Sequence, residues 1–342
     1  HYNERMRIDG RDVSDAEIIA SFERVEAVRG DEELTYFEFG TLAALVVFAD
    51  AGMDTLILEV GMGGRLDAVN AVEPTAGLIT NIALDHCAWL GDSIEAIAFE
   101  KAGIMRPGKP VVFGARDIPQ AILGHAENVG ARLQVAGRDF DWQIDGDTWS
   151  WQGRNHNLDE LALPALAGQH QVSNAAAVLA LLEASGHDDI LTADLVSTAL
   201  RSVHLDGRIQ EIDNDTRWIV DVAHNPAAAE VLAAELAEQP VSGQTIAIVG
   251  MLDDKDVEGV VTHLQPHVDQ WLAVAADSHR AISADELARR VANVTGSGCL
   301  VGDSLESVLE RAEEIAGAND RVLLTGSFYL VGPALNQLYS RR

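Results

Sequence analysis

The chain has 342 residues, 47% of them hydrophobic, which is enough for two domains with sizeable cores. Its 24 basic and 54 acidic side chains give a formal charge of −30, a field that repels a nucleic-acid backbone and argues against that class of partner. No apolar run approaches the roughly eighteen residues needed to cross a bilayer; the opening H-Y-N-E-R-M-R is too polar for a signal peptide, and Cys87 and Cys299 are too widely separated for a disulfide framework, so a cytoplasmic location without membrane association is expected. The acid excess is also what adaptation to salt would produce.

Strand-like apolar runs alternate with helical patterns, which predicts an α/β fold built on a mostly parallel sheet. After a helix near 37–51, Thr55 to Val60 reads as a buried strand with Glu59 at its carboxyl end, where open sheets place ligand crevices. The stretch E-V-G-M-G-G-R-L-D-A-V-N from Glu59 to Asn70 follows, with three glycines beside Arg65 and Asp67. A tight structural turn would explain the glycines alone; the charges favour a site. The next strand, 77–82, leads into Leu84-Asp85-His86, whose imidazole is expected either to share a divalent cation with Glu59 or to cap a turn. Lys101, in Glu100-Lys101-Ala102-Gly103, closes a helix over 94–102 and reads equally well as an ordinary last-turn cation. A strand at 110–113, a hairpin over 139–152 around Asp145-Gly146 and an alanine-rich helix at 173–185 complete this half.

The polar stretch 201–214 is the expected boundary. Beyond it, strands are predicted at 218–222, 245–249, 271–275 and 321–325. Asp221-Val222-Ala223-His224-Asn225-Pro226 ends the first of them, so Asp221 could hold a ribose hydroxyl or order Arg208, while His224 and Asn225 stand at a helix start suited to anions. Lys255 and Ser327 follow two other strands and could meet a small anionic substrate; a solvated charge run and a helix cap are the bland alternatives.

Taken together these motifs resemble the folylpolyglutamate synthase family, especially its bacterial bifunctional dihydrofolate synthase members, within the Mur ligase superfamily. The resemblance runs from Tyr2-Asn3-Glu4-Arg5 and Thr35-Tyr36-Phe37-Glu38-Phe39 through the Glu59 motif to Gly326-Ser327-Phe328-Tyr329. It implies a Mur-ligase-like ATPase domain over 1–205, a linker at 206–214 and a smaller Rossmann-like domain over 215–342, with the active site in the cleft between the domains. The implied activity is ATP-dependent amide ligation, in which a carboxylate of dihydropteroate or folate is phosphorylated and L-glutamate displaces the phosphate. By resemblance Glu59 and His86 bind Mg2+, and a second ion is implied by a carbamate on Lys101. Lys101 and His224 are catalytic, Lys101 as a carbamate. Asn174, Arg208 and Asp221 contact ATP; Thr35, Tyr36, Phe37, Glu38, Leu66, Asp67 and Ala68 form the pterin-substrate region. His224, Lys255 and Ser327 lie on the glutamate side, and a monomer is expected.

Two departures qualify the resemblance. The family's phosphate-cradling G-T-N-G-K-G-S and the serine of its Ser-Pro-His-Leu stretch do not occur in these residues, and the expectation is that the numbering starts after a missing segment. The rivals are another Mur-superfamily ligase and a non-catalytic nucleotide- or folate-binding homologue. Cys87 replaces the usual threonine and is expected to be buried and inert, or else sensitive to alkylation beside a metal.

Overall fold

The computed structural model describes residues 2–213 and 216–340. Asn214, the end of the expected linker, and Asp215, the start of the expected second domain, lie outside the described residues, as do His1, Arg341 and Arg342. The chain divides into two compact units, His1–Phe113 with Asp117–Leu133, and Gly114–Arg116 with Gln134–Arg342.

The first unit opens with a 3-10 turn at Tyr2–Arg5 and a short antiparallel ribbon, β1 (Arg7–Ile8) and β2 (Arg11–Asp12). Helices α1 (Asp15–Arg29) and α2 (Tyr36–Ala51) follow. Each starts with a reciprocal cap, Ser14 with Glu17 and Thr35 with Glu38, which satisfies two otherwise orphaned N–H groups per helix. Met6, Val13, Ile18, Val25, Ala43 and Val47 form the core of this helical pair. Then come β3 (Gly77–Ile79), α3 (Cys87–Leu90), α4 (Ile94–Ala102), β4 (Pro110–Phe113) and α5 (Gln120–Val129). A third strand, β5 (Arg132–Val135), completes a sheet of order β3-β4-β5 and carries the chain into the second unit.

One expectation is overturned here. The stretch 55–60 is not a buried strand: it makes no ladder among the described residues, and Leu56 and Ile57 are 44% and 94% exposed. Apolar, β-branched composition supplies strand propensity, but a strand exists only through its neighbours. The next strand also stops at Ile79, three residues short of the expected Ile82.

In the second unit, β6 (Asp141–Asp145), β7 (Thr148–Gln152) and β8 (Asn157–Ala162) form an antiparallel sheet whose first turn uses Gly146 at φ 59°. Trp149 and Trp151, two apart on β7, share its buried face. Helices α6 (Gln169–Ala184) and α7 (Ala193–Ser202) precede a six-stranded sheet. Its elements are β9 (Gln210–Asp213), β10 (Arg217–Val220), α8 (Pro226–Glu238), β11 (Thr245–Val249), α9 (Val257–Leu264), β12 (Gln270–Ala273), α10 (Ala284–Thr295), β13 (Cys299–Val301), α11 (Leu305–Ile315), β14 (Arg321–Thr325) and α12 (Phe328–Ser340). The order is β13-β12-β11-β14-β10-β9, parallel except for β9 at the edge.

Both faces of this sheet are covered, as a parallel sheet requires. Ile219, Ala247, Val249, Trp271 and Leu323 face α8, α9 and α10. The alternate residues Trp218, Val220, Ile246, Ile248, Leu272, Val322 and Leu324 face α11 and α12. The fold is therefore a mixed α/β one with a Rossmann-like carboxyl-terminal sheet, and the carboxyl ends of β10, β11 and β14 open on one edge.

Candidate functional site

In the first unit, the glycines of the Glu59–Asn70 loop are explained by close approach. A Cβ on Gly61 would lie 2.6 Å from the Phe37 ring, one on Gly63 2.9 Å from a Leu90 methyl, and one on Gly64 3.0 Å from the carbonyl oxygen of Glu100. The loop thus touches the start of α2, the end of α3 and the last turn of α4 together. It gathers the segments that carry Thr35–Glu38, His86 and Lys101.

Polar contacts lock it there. Arg65 Nη2 is 2.9 Å from Glu100 Oε1, and the Arg65 N–H donates to the Glu100 carbonyl at 2.9 Å. Asn70 Nδ2 donates to the Gly103 carbonyl at 3.0 Å, and Arg106 in turn grips Asn70 and Glu73. Asp67 commits both oxygens to the loop itself, accepting from the N–H groups of Met62 and Val69 at 2.9 and 3.0 Å. Thr35 and Glu38 form the α2 cap, while Tyr36 and Leu66 are exposed, Phe37 lies over Gly61, and Ala68 opens a half-buried 3-10 turn.

The groups expected to do chemistry in this unit differ in environment. Glu59 is exposed. His86 takes left-handed backbone geometry, φ 52°, as the N-cap residue of α3, with its Nε2 3.9 Å from Asp85 Oδ2. Burial holds the Lys101 ammonium below its ordinary value, against the opposing pull of the Asp85 carboxylate. Among the described residues no three His, Cys, Asp or Glu side chains gather as a metal site. Cys87, expected to be buried, is exposed at the first position of α3, because that short helix presents it outward.

In the second unit, Asp221 follows β10 and is buried, accepting from the N–H of Ile209 at 2.9 Å and of Ala223 at 2.7 Å. Burial raises its carboxyl above the ordinary value despite those bonds and the charge of Arg208. Arg208 is half-buried, its guanidinium carbon 5.2 Å from the centroid of the Phe328 ring. His224 bonds through Nδ1 to the Val222 carbonyl at 2.9 Å, and its ring lies 6.1 Å from Phe328. Asn225 caps α8, accepting from Ala228 N–H.

Ser327 is buried at the start of α12, where its hydroxyl accepts from Tyr329 N–H at 3.1 Å, the helix-cap arrangement. Lys255 is half-buried in the turn between β11 and α9. Asn174, on α6, donates to Gln171 Oε1 at 3.4 Å. His170, one turn earlier, is held below its ordinary value by burial first and by the charge of Arg208 second, so the start of α6 lies within the field of that arginine. Sequence reading missed His170 and the Phe328 contacts. Phe328 stood inside a quoted motif, but nothing local to Gly326-Ser327-Phe328-Tyr329 signals a cation over its ring.

A sheet with helices on both faces and polar groups at its strand ends fits what comparison with known families finds. The Mur ligase middle domain matches residues 16–182 and the Mur ligase glutamate ligase domain matches 207–328. Fold and site together define an ATP-dependent carboxylate–amine ligase of the Mur type. A dihydrofolate synthase/folylpolyglutamate synthase of Escherichia coli K12 is 38% identical over 100% of this chain and 78% of its own length. The E. coli FolC structure in complex with DHPP and ADP superposes with a TM-score of 0.93 at 38% identity, covering 100% of this chain and 80% of that one. The Yersinia pestis bifunctional folylpolyglutamate synthase/dihydrofolate synthase complexed with AMPPNP and Mn ion gives 0.91 at 39% identity, covering 99% and 80%. The chain belongs to the dihydrofolate synthase/folylpolyglutamate synthase family.

Proposed function

We propose that this chain uses ATP to activate a carboxylate of dihydropteroate, of folate or of both, and joins it to the amine of L-glutamate. The observation that carries this reading is the attachment of the Glu59–Asn70 loop to the turn bearing Lys101, because it brings the loop that follows Glu59 against both that turn and Phe37 of the Thr35–Glu38 segment. In the reaction a carboxylate oxygen attacks the γ-phosphorus of ATP and ADP leaves. The glutamate amine then attacks the carbonyl carbon of the acyl phosphate, losing a proton as inorganic phosphate departs. The first step turns a carboxylate oxygen, a poor leaving group, into phosphate, a good one, and the second step expels it.

The roles we assign follow each unit's chemistry. Arg208 binds phosphate through its planar fork, with Asn174 and Asp221 completing the nucleotide contacts. His224, with its ring oriented through Nδ1, stands with Lys255 and Ser327 on the glutamate side. Exposed Tyr36 and Leu66 offer apolar surface to a flat pterin, and Asp67 shapes the loop that carries Leu66.

A divalent cation would be held by Glu59 and His86. Two side-chain donors fit a magnesium that takes its remaining oxygens from phosphate and water, and a relative is described with AMPPNP and Mn ion. When bound, such an ion neutralises charge on the transferred phosphoryl group. Lys101, whose ammonium burial holds below its ordinary value, is suited to carry a carbamate that would support a second ion.

We further infer a functional division at 1–205, 206–214 and 215–342, supported by the change from one family model to the other between residues 182 and 207. A cytoplasmic monomer without nucleic-acid or membrane partners completes the proposal, the net charge of −30 supporting the exclusion of nucleic acid. No helix among the described residues is long and apolar enough to cross a membrane.

The test is phosphate release by full-length protein given ATP, magnesium, L-glutamate and, separately, dihydropteroate, tetrahydrofolate or a UDP-linked peptide. Release with either pterin, abolished by a chelator, is expected. Release with the UDP-linked substrate alone would move the chain to another branch of the superfamily.

A further inference from the structure

We propose that Phe328 is a positioning residue of the ligation, its ring acting as a common shelf for the Arg208 guanidinium and the His224 imidazole. The inference rests on the assignment of those two side chains to ATP and to the glutamate side.

Phe328 is 55% exposed, so burial does not account for an aromatic residue at the start of α12; Leu330, Val331, Ala334, Leu335 and Leu338 carry that helix's core contacts. Its ring instead meets two polar groups. The Arg208 guanidinium carbon lies 5.2 Å from the ring centroid, within reach of the electron-rich face, and the His224 ring lies 6.1 Å away, tilted by 52°.

The backbone beneath both groups is fixed to match. Arg208 sits between Gly207 at φ 69° and Ile209 at φ 46°. Left-handed geometry is costly for a β-branched residue and persists only where surroundings over-determine it. Here the surroundings are the Asp221 carboxylate, which accepts the Ile209 N–H at 2.9 Å, and the Val222 and Val331 methyls, which a Cβ on Gly207 would meet at 3.1 and 3.0 Å. The other Asp221 oxygen accepts Ala223 N–H, next to His224. One buried carboxylate thus holds both backbones and one exposed ring holds both side chains. A long arginine that is already ordered before ATP arrives loses less freedom on gripping phosphate.

Kinetics of Phe328→Leu, Phe328→Tyr, Arg208→Met and the Phe328→Leu/Arg208→Met double variant in full-length protein test this. Loss of the shelf should raise KM for ATP by about five-fold, with the thermal midpoint little changed. Phe328→Tyr should restore KM, and Phe328→Leu should add nothing in the Arg208→Met background. An unchanged KM in Phe328→Leu, a loss that merely follows the folded fraction, or additive effects in the double variant would overturn the proposal alone. An Arg208→Met enzyme with unaltered KM for ATP would instead remove the nucleotide assignment and the proposal with it.

Discussion

Arg65 holds Glu100 twice over, by a bidentate ion pair with Nη2 2.9 Å from Oε1 and Nε 3.2 Å from Oε2, and by its own N–H on the Glu100 carbonyl. The two residues are 35 positions apart and join the glycine-rich loop to the residue before Lys101. Because the pair is partly exposed, its direct contribution to stability should be about 1 kcal/mol or less. Its effect on geometry is larger in consequence, since misplacing a reacting group by an ångström can cost about a hundredfold in rate. Arg65→Met should therefore lower kcat at least about tenfold while the melting temperature moves by a few degrees at most. Parallel activity and thermal unfolding measurements decide it, and activity falling only as far as the folded fraction falls would show the pair to be purely structural.

Gly103 gives the harsher version of the same experiment. A Cβ there would lie 2.4 Å from Arg65 Cβ and 2.5 Å from its Cα, atoms that cannot swing aside. Gly103→Ala should cost about 1–3 kcal/mol through overpacking and lose most activity. Gly124, inside α5, has open space at its Cβ position, so Gly124→Ala should stabilise by about 0.5–1 kcal/mol. Chemical denaturation of the two variants should shift in opposite directions.

Lys101 carries a pH dependence with a definite sign. Burial lowers its ammonium pKa and the Asp85 carboxylate pulls the other way, leaving it below the ordinary lysine value. A carbamate forms by attack of the neutral amine on carbon dioxide, so the reactive fraction grows as pH rises toward the lowered pKa. Protein freed of carbon dioxide should lose activity and regain it when carbon dioxide is restored, faster at higher pH when the dissolved carbon dioxide is held constant. Lys101→Arg, whose guanidinium stays charged, should be inactive and unresponsive. Wild-type activity indifferent to carbon dioxide would refute the carbamate.

What sequence made visible was local. Helix α4 has its expected bounds because the apolar spacing, the Ser93 cap and Gly103 all lie within a dozen residues, and β11 and β14 stand out as uninterrupted apolar runs. The stretch 55–60 misled because strand formation depends on partners remote in sequence, and β8 went unread because N-L-D-E-L-A is too polar to suggest a third strand. The motif residues were nameable from type and order alone. Their supports were not: Arg321 read as a strand start, yet it is buried and caps the end of α8 by donating to the carbonyls of Leu236 and Gln239, some eighty residues away. Arg65 on Glu100 and Arg208 over Phe328 belong to the same class, since each depends on which loops the fold brings together.

Glu183 shows how much one such support holds. From α6 it accepts the N–H groups of Asn155, Arg154 and His156 at 2.8, 2.9 and 3.0 Å, and the His156 ring at 3.0 Å, fixing the turn between β7 and β8. Burial alone would raise its carboxyl; the Asn155 and Arg154 donors and His156 outweigh that and hold it below its ordinary 4.5. An acid depressed in the folded state contributes stability that is complete above the unfolded pKa and is lost as pH falls through the folded one. Glu183→Gln presents an amide to several donors at once and should cost about 3 kcal/mol at neutral pH. That deficit should shrink as pH falls from 4.5, the ordinary value that applies in the unfolded chain, toward the lower folded value. Urea unfolding of both proteins across that range measures the gap, and a gap that stays constant would assign the loss to packing rather than to charge.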